Sequence, residues 1–273
     1  MAIPKKIHWC WLSGDPIPQN LQKCINSWKR IMPDYEIVCW DMKRFDIHSL
    51  KFVEDACKHR KWAFAADYIR LYALYTEGGI YLDSDVMVFR RFDKFLYHAA
   101  FSSVEYIPEF IPFRKEDNYI GYAIQAAIIG AESGNGWIKM CLEHYQQNKK
   151  FKMKKGGLVD VEVIPNILAR YAHNYYGFQY DKPFDIPQYL KENIVIYQPK
   201  VFTATCGMAD MHTYALHIGE GSWGDDTYKQ HRRAESFIRK FYRMLCINYR
   251  FVAMLHYKRT QLFKIKKPFS ENY

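Results

Sequence analysis

The chain has 273 residues, 49% of them hydrophobic and 25% charged, with a formal net charge of +10. That composition excludes a disordered or low-complexity chain, and the length suits one large domain or a domain with an appendage. The excess charge sits at the C-terminal end, where residues 229–268 hold twelve Lys/Arg against Glu235 while residues 1–228 balance 27 bases with 27 acids, which argues against a nucleic-acid-binding core.

The first residues, Met1-Ala2-Ile3-Pro4-Lys5-Lys6, lack the apolar stretch of a signal peptide, and no run reaches the roughly 20 apolar residues of a membrane span. The seven cysteines are scattered and form no C-x-x-C pair, which predicts neither a disulfide framework nor a zinc site. Together these features predict a cytoplasmic protein.

Alternation of Ile7, Trp9 and Trp11 with His8, Cys10 and Leu12 predicts a first strand, broken at Gly14-Asp15-Pro16. Leu21, Cys24, Ile25, Trp28 and Met32 recur at helical spacing from about Pro18, and Pro33 ends that helix. Tyr35 to Trp40 predicts a second strand. Lys61 to Glu77 predicts a helix rich in Ala and aromatics, stopped by Gly78-Gly79, where a glycine cap is expected. Ile80 to Leu82 is a short buried strand, and Tyr122 to Gly130 a longer apolar one. A helix through Trp137, Met140, Cys141, His144 and Tyr145 follows, and Ile194–Tyr197 and Tyr214–Ile218 are further strands. Strands alternating with helices predict an α/β architecture around a largely parallel sheet. Ligands bind such sheets beyond the carboxyl ends of the strands.

The stretch Gly78-Gly79-Ile80-Tyr81-Leu82-Asp83-Ser84-Asp85 lies at such an end. In an extended segment Asp83 and Asp85 share a face, and two carboxylates that close stay ionised together when a cation lies between them. A hard divalent ion with oxygen ligands is the economical solution, and Mg²⁺ is commonly held by one or two carboxylates plus substrate phosphates. Asp67 and Arg70, three apart on the preceding helix, are flanked by Ala63, Phe64, Ala65, Ala66, Tyr68, Ile69 and Leu71, so a fully solvated surface pair is not expected. The late stretch His217-Ile218-Gly219-Glu220-Gly221-Ser222-Trp223-Gly224 offers glycines for close backbone approach and His217, Glu220 and Ser222 as further ligands of a cation.

The block Ala66-Asp67-Tyr68-Ile69-Arg70, with the glycine pair and Asp83-Ser84-Asp85 after it, resembles the core of the DxD-containing sugar transferases, glycosyltransferase family thirty-two. The opening Ile3 to Gly14 and the closing His217 to Trp223 are similar to that family's first strand and last loop, so the resemblance spans about residues 3–224. It implies a GT-A fold (a Rossmann-like nucleotide-diphospho-sugar transferase), a nucleotide-sugar donor, a divalent cation (Mn²⁺ or Mg²⁺) and retention of anomeric configuration. Carried over residue by residue, it implies that Asp85 binds the cation, with Asp83 on the cation or the donor's ribose and sugar, and His217 as a late ligand. Asp67 and Arg70 hold the donor sugar, and Trp11 stacks on the base, in a nucleotide-sugar site that also takes in His8, Trp9, Ser84, Ser222 and Trp223. Gln125 is the candidate for the group beneath the anomeric carbon.

The resemblance thus implies a metal-dependent retaining transferase over residues 1–228, moving a hexose from a UDP-sugar to a surface glycan. GDP-mannose is the alternative donor, and a catalytically silent nucleotide-sugar-binding protein the alternative function. Residues 229–273 form a basic extension in which Arg232, Arg233, Arg239, Lys240, Arg243 and Arg250 interleave with Phe237, Ile238, Phe241, Leu245, Phe251, Val252 and Leu255. A basic amphipathic helix of this kind suits an anionic membrane surface, and with it peripheral attachment and a lipid-linked acceptor.

Overall fold

Successive residues of a strand face opposite sides of its sheet, so a strand apolar on both sides must be covered twice. Strand β3 (Gly79–Leu82) is such a strand, with every residue buried. It lies inside the main sheet of a computed structural model that describes residues 3–106, 122–147, 151–153, 159–180, 182, 185–203 and 209–219. In chain order the elements are β1 (Lys6–Cys10), α1 (Gln19–Ile31), β2 (Glu36–Trp40), α2 (Lys51–Lys58), α3 (Trp62–Glu77), β3, β4 (Val86–Val88), β5 (Ala100–Tyr106), β6 (Tyr122–Ile124) and β7 (Ile128–Ala131). They continue with α4 (Gly136–Gln146), α5 (Ile164–Tyr171), β8 (Gln188–Tyr189), β9 (Ile194–Tyr197), β10 (Phe202–Thr203) and β11 (Ala215–His217).

The main sheet runs β2-β1-β3-β7-β5-β9-β8, with β6 paired to β5, and a second sheet runs β10-β11-β4. Tyr81 and Ile129 join one core with Phe52, Ile69, Leu74 and Trp137, whereas Ile80, Leu82 and Ile128 join another with Ile25, Trp28, Val86 and Phe202. The α/β expectation therefore holds, as two cores on the two faces of one sheet. The expectation of a largely parallel sheet does not. Strand β1 is parallel to β2 and β3, but β7 runs antiparallel to both β3 and β5.

The predicted strand from Tyr122 to Gly130 is two strands, because Gln125-Ala126-Ala127 leaves the ladder between β6 and β7. The break turns two carbonyls to other partners: Ala126 O accepts from Arg70 and Ala127 O from the Asp83 amide. Helices α2 and α5 and strands β4, β5, β8 and β10 are elements that the sequence reading did not predict.

Among the described residues no helix is long and apolar enough to cross a membrane, and Cys10, Cys24, Cys39, Cys57 and Cys141 are free thiols. The basic extension 229–273 expected on a membrane lies outside the described residues, as do Glu220, Ser222 and Trp223.

The glycine pair that stops α3 is needed for two reasons. Gly78 and Gly79 have φ of 65° and 117°, values that side chains rarely adopt. A Cβ on Gly79 would also lie 2.7 Å from the Lys6 carbonyl of β1, and one on Gly78 equally close to the Ser133 amide. Gly79→Ala should therefore destabilise the fold by about 1–3 kcal/mol, the usual cost of a forbidden backbone conformation, read as a lower denaturant midpoint at unchanged slope.

Candidate donor and cation site

Asp83 follows the carboxyl end of β3, and Trp11 follows that of its parallel neighbour β1. Asp83 and Asp85 do not lie in an extended segment as the spacing suggested. They occupy a turn in which the Val86 amide donates to Asp83 O at 3.0 Å. They still converge, because β4 leaves the turn and pairs antiparallel with β11, setting Val86 opposite His217. His217 Nε2 lies 3.2 Å from Asp85 Oδ1, and one ligand atom from each of Asp83, Asp85 and His217 falls within 4.8 Å of the others.

Helix α1 fixes the position of β4. The Trp28 indole donates to Val86 O at 2.7 Å, and Ser27 Oγ accepts from the Val88 amide at 2.9 Å. A helix with Trp and Ser adjacent on its buried face thereby sets β4, the strand against which β11 brings His217.

On the other side of Asp83 lies the fully buried guanidinium of Arg70. It contacts Asp67 Oδ1 at 2.8 Å and Asp83 Oδ1 at 3.4 Å, donates to Ala126 O at 2.7 Å, and sits 4.6 Å from the centre of the Tyr81 ring. Loss of hydration works against its charge, but Asp83 and Asp67 raise its pKa and keep it protonated. One cation thus serves two carboxylates. The more buried of them, Asp67, is undercompensated, and burial pushes its pKa up to about 7 against the pull of Arg70.

His217 shows a different balance. Burial is the largest single influence and would lower its pKa, but the hydrogen bond to Asp85 and the charges of Asp85, Asp83 and Glu105 together outweigh it and raise it. Glu105 on β5 belongs to the same neighbourhood and was not singled out from the sequence. Burial raises its carboxyl to about 7, and His217 draws it back down. The one signal available was its charge, next to the end of the strand Ala100-Phe101-Ser102-Ser103-Val104-Glu105-Tyr106.

The remaining expected donor contacts separate into two groups. Trp11 is half-buried just past β1, its indole donating to Asp15 O at 2.7 Å, and Ser84 is half-buried in the turn. His8 and Trp9, by contrast, lie inside the cores. Trp9 packs edge-on against Trp28 at 6.2 Å. The Trp40 indole donates to His8 Nδ1 at 3.0 Å, so Nδ1 carries the lone pair and Nε2–H donates to Gly78 O at 2.8 Å. With both nitrogens used and burial lowering its pKa, His8 is a neutral strut between β1, β2 and the end of α3 rather than a donor contact.

Gln125 is also interior. Its amide N–H groups reach Ser103 Oγ and Phe202 O, while Oε1 has no partner among the described residues.

Asp67 makes a measurable contribution to pH dependence. A carboxyl whose folded pKa lies above its unfolded value of 3.8 favours the folded state below that value, and the contribution is lost as pH rises to about 7. Asp67→Asn keeps the uncharged form, so its stability relative to the parent should improve progressively between about pH 4 and 7. Urea titrations across that range would show it, and parallel stability–pH curves for the two proteins would refute it.

Residues 18–102 match the family described as "Glycosyltransferase sugar-binding region containing DXD motif". The chain is 30% identical over 122 residues to "Subversion of eukaryotic traffic protein A" of Legionella pneumophila, an alignment covering 35% of this chain and 19% of that protein. It is also 30% identical over 126 residues to "Inositol phosphoceramide mannosyltransferase 3" of Schizosaccharomyces pombe, covering 45% of this chain and 34% of that one. The match therefore spans only about a fifth and a third of these two relatives. Among solved structures the chain is similar to the PaToxG glycosyltransferase, with a TM-score of 0.44 and 19% identity over 63% of this chain and 70% of the other. The galactosyltransferase LgtC in complex with donor and acceptor sugar analogs gives 0.34 and 16%, over 54% and 66% of the two chains. Asp67, Arg70, Asp83 and Asp85 all fall within the matched span.

Proposed function

We propose that the protein is a metal-dependent, retaining glycosyltransferase of GT-A fold that moves a hexose from a UDP-sugar to a glycan acceptor. The observation that carries this reading is the convergence of Asp83, Asp85 and His217, with ligand atoms within 4.8 Å, beside the buried Asp67–Arg70 pair. Two carboxylates and one imidazole fit a first-row divalent ion such as Mn²⁺, with Mg²⁺ the harder alternative. When bound, such an ion neutralises charge on a departing diphosphate as a Lewis acid.

The chain's own residues account for the remaining roles. Asp67 and Asp83 present carboxylate oxygens to sugar hydroxyls, and Arg70, held between them, adds a fixed positive charge near the sugar–phosphate link. The exposed part of Trp11 gives a nucleotide base an aromatic face. Gln125 remains the candidate beneath the anomeric carbon, supported by its unpartnered Oε1. One observation favours a second donor, GDP-mannose: the fission-yeast relative is named as a mannosyltransferase.

The test is a panel of UDP- and GDP-sugars with Mn²⁺, followed by slow donor hydrolysis and by calorimetric binding. Turnover should require the cation, and Asp85→Asn should lower it by roughly 10²-fold or more, as expected when a charge stabiliser is removed. Turnover unchanged in Asp85→Asn would overturn the cation assignment. Binding of a nucleotide sugar with no turnover would point to a silent binding protein, and binding of none would overturn the donor reading itself.

A further inference from the structure

At the end of the β4–β11 pair away from the cation triad, the backbone amides of Phe89 and Arg90 both donate to Tyr214 O, at 2.8 and 3.3 Å. The Arg90 guanidinium donates to the Met211 carbonyl and lies 5.8 Å from the Tyr214 ring centre, and Lys94 Nζ lies 4.2 Å from that centre. Two apolar side chains flank these cations in the open, Phe89 at 47% exposure and Met211 at 75%.

The charges on this edge differ from those beside it. Lys5 and Arg91 are both tied to Asp34 and Asp93, at 2.7–3.1 Å. Arg90 and Lys94 have no carboxylate partner among the described residues; their contacts are a carbonyl and the Tyr214 and Phe95 rings. Exposed Phe and Met beside uncompensated cations match what an anionic lipid surface offers, phosphate above and acyl chain below.

We propose that the edge formed by Phe89, Arg90, Lys94, Met211 and Tyr214 docks on an anionic membrane surface. The sequence supplies a second signal of the same sign, since residues 229–268 carry twelve Lys/Arg against one acid. Basic residues near an anionic surface add their attractions, so the two segments would reinforce one another. Tyr214 precedes β11 and stands three residues from His217, about 10 Å of extended chain, which sets the reacting centre close to the lipid plane without using the same side chains. The proposal is independent of the donor reading.

The test uses the full chain, sedimented with vesicles of phosphatidylserine and phosphatidylcholine and with vesicles of phosphatidylcholine alone. The parent should partition onto the anionic vesicles in a salt-sensitive way. Each cation removed should cost about fivefold, so the double variant Arg90→Gln/Lys94→Gln should bind roughly 25-fold more weakly. Phe89→Ser/Met211→Ser should also weaken binding, with the thermal midpoint of both variants unchanged. Variants that bind like the parent would assign attachment to the C-terminal segment alone and overturn the proposal. Retention of the parent by a soluble anionic polysaccharide but not by vesicles would overturn it in favour of a glycan. Loss of donor turnover with vesicle binding intact would count against the transferase reading only.

Discussion

The site depends on a single buried guanidinium. Arg70 cannot shed its charge, so an interior that encloses it must supply compensation on every side. The compensation comes from three separate segments: Asp67 one turn earlier on α3, Asp83 beyond β3, and the Ala126 carbonyl in the break between β6 and β7. The Tyr81 ring closes a fourth side. Removing any partner of such a group leaves unpaired charge in a dry environment, typically at about 3–5 kcal/mol. The helix, the turn and the strand break are therefore not independent features. Each is held in place by the same cation.

The residual charge of this arrangement accounts for the site's appetite. Asp83 balances Arg70, Asp67 adds negative charge as pH rises past about 7, and Asp85 adds another, with His217 as its counterweight. A divalent cation would relieve that excess. With such an ion in place, the site would become attractive to an anionic ligand, so on the proposed reading cation and nucleotide diphosphate would favour one another's binding through charge.

Much of this was legible in the sequence where the cause is local. An ion pair in an apolar helix can be read from residues 62–77, and Gly78-Gly79 announces the end of that helix without knowledge of what lies nearby. Asp83 and Asp85 stand out for the same reason. What stayed hidden has causes far along the chain. No Gly or Pro marks the break at Gln125–Ala127, because it exists to meet Arg70 and the Asp83 amide rather than from any turn propensity. The antiparallel course of β7 is a property of connections, not of residues, since a short buried strand reads alike in either direction. His8 was placed on the donor by likeness of motif, and only the Trp40 and Gly78 contacts reveal its structural use. Glu105 had no local mark beyond its charge.

The pairing of β4 with β11 brings together Asp85 and His217, which lie far apart in the sequence. Contacts so distant in sequence form late, since the intervening chain must first be made and ordered. During synthesis the two aspartates emerge long before the histidine. On the proposed reading, a growing chain would therefore lack the third ligand until β11 pairs with β4, and ion capture would report that this pairing has formed.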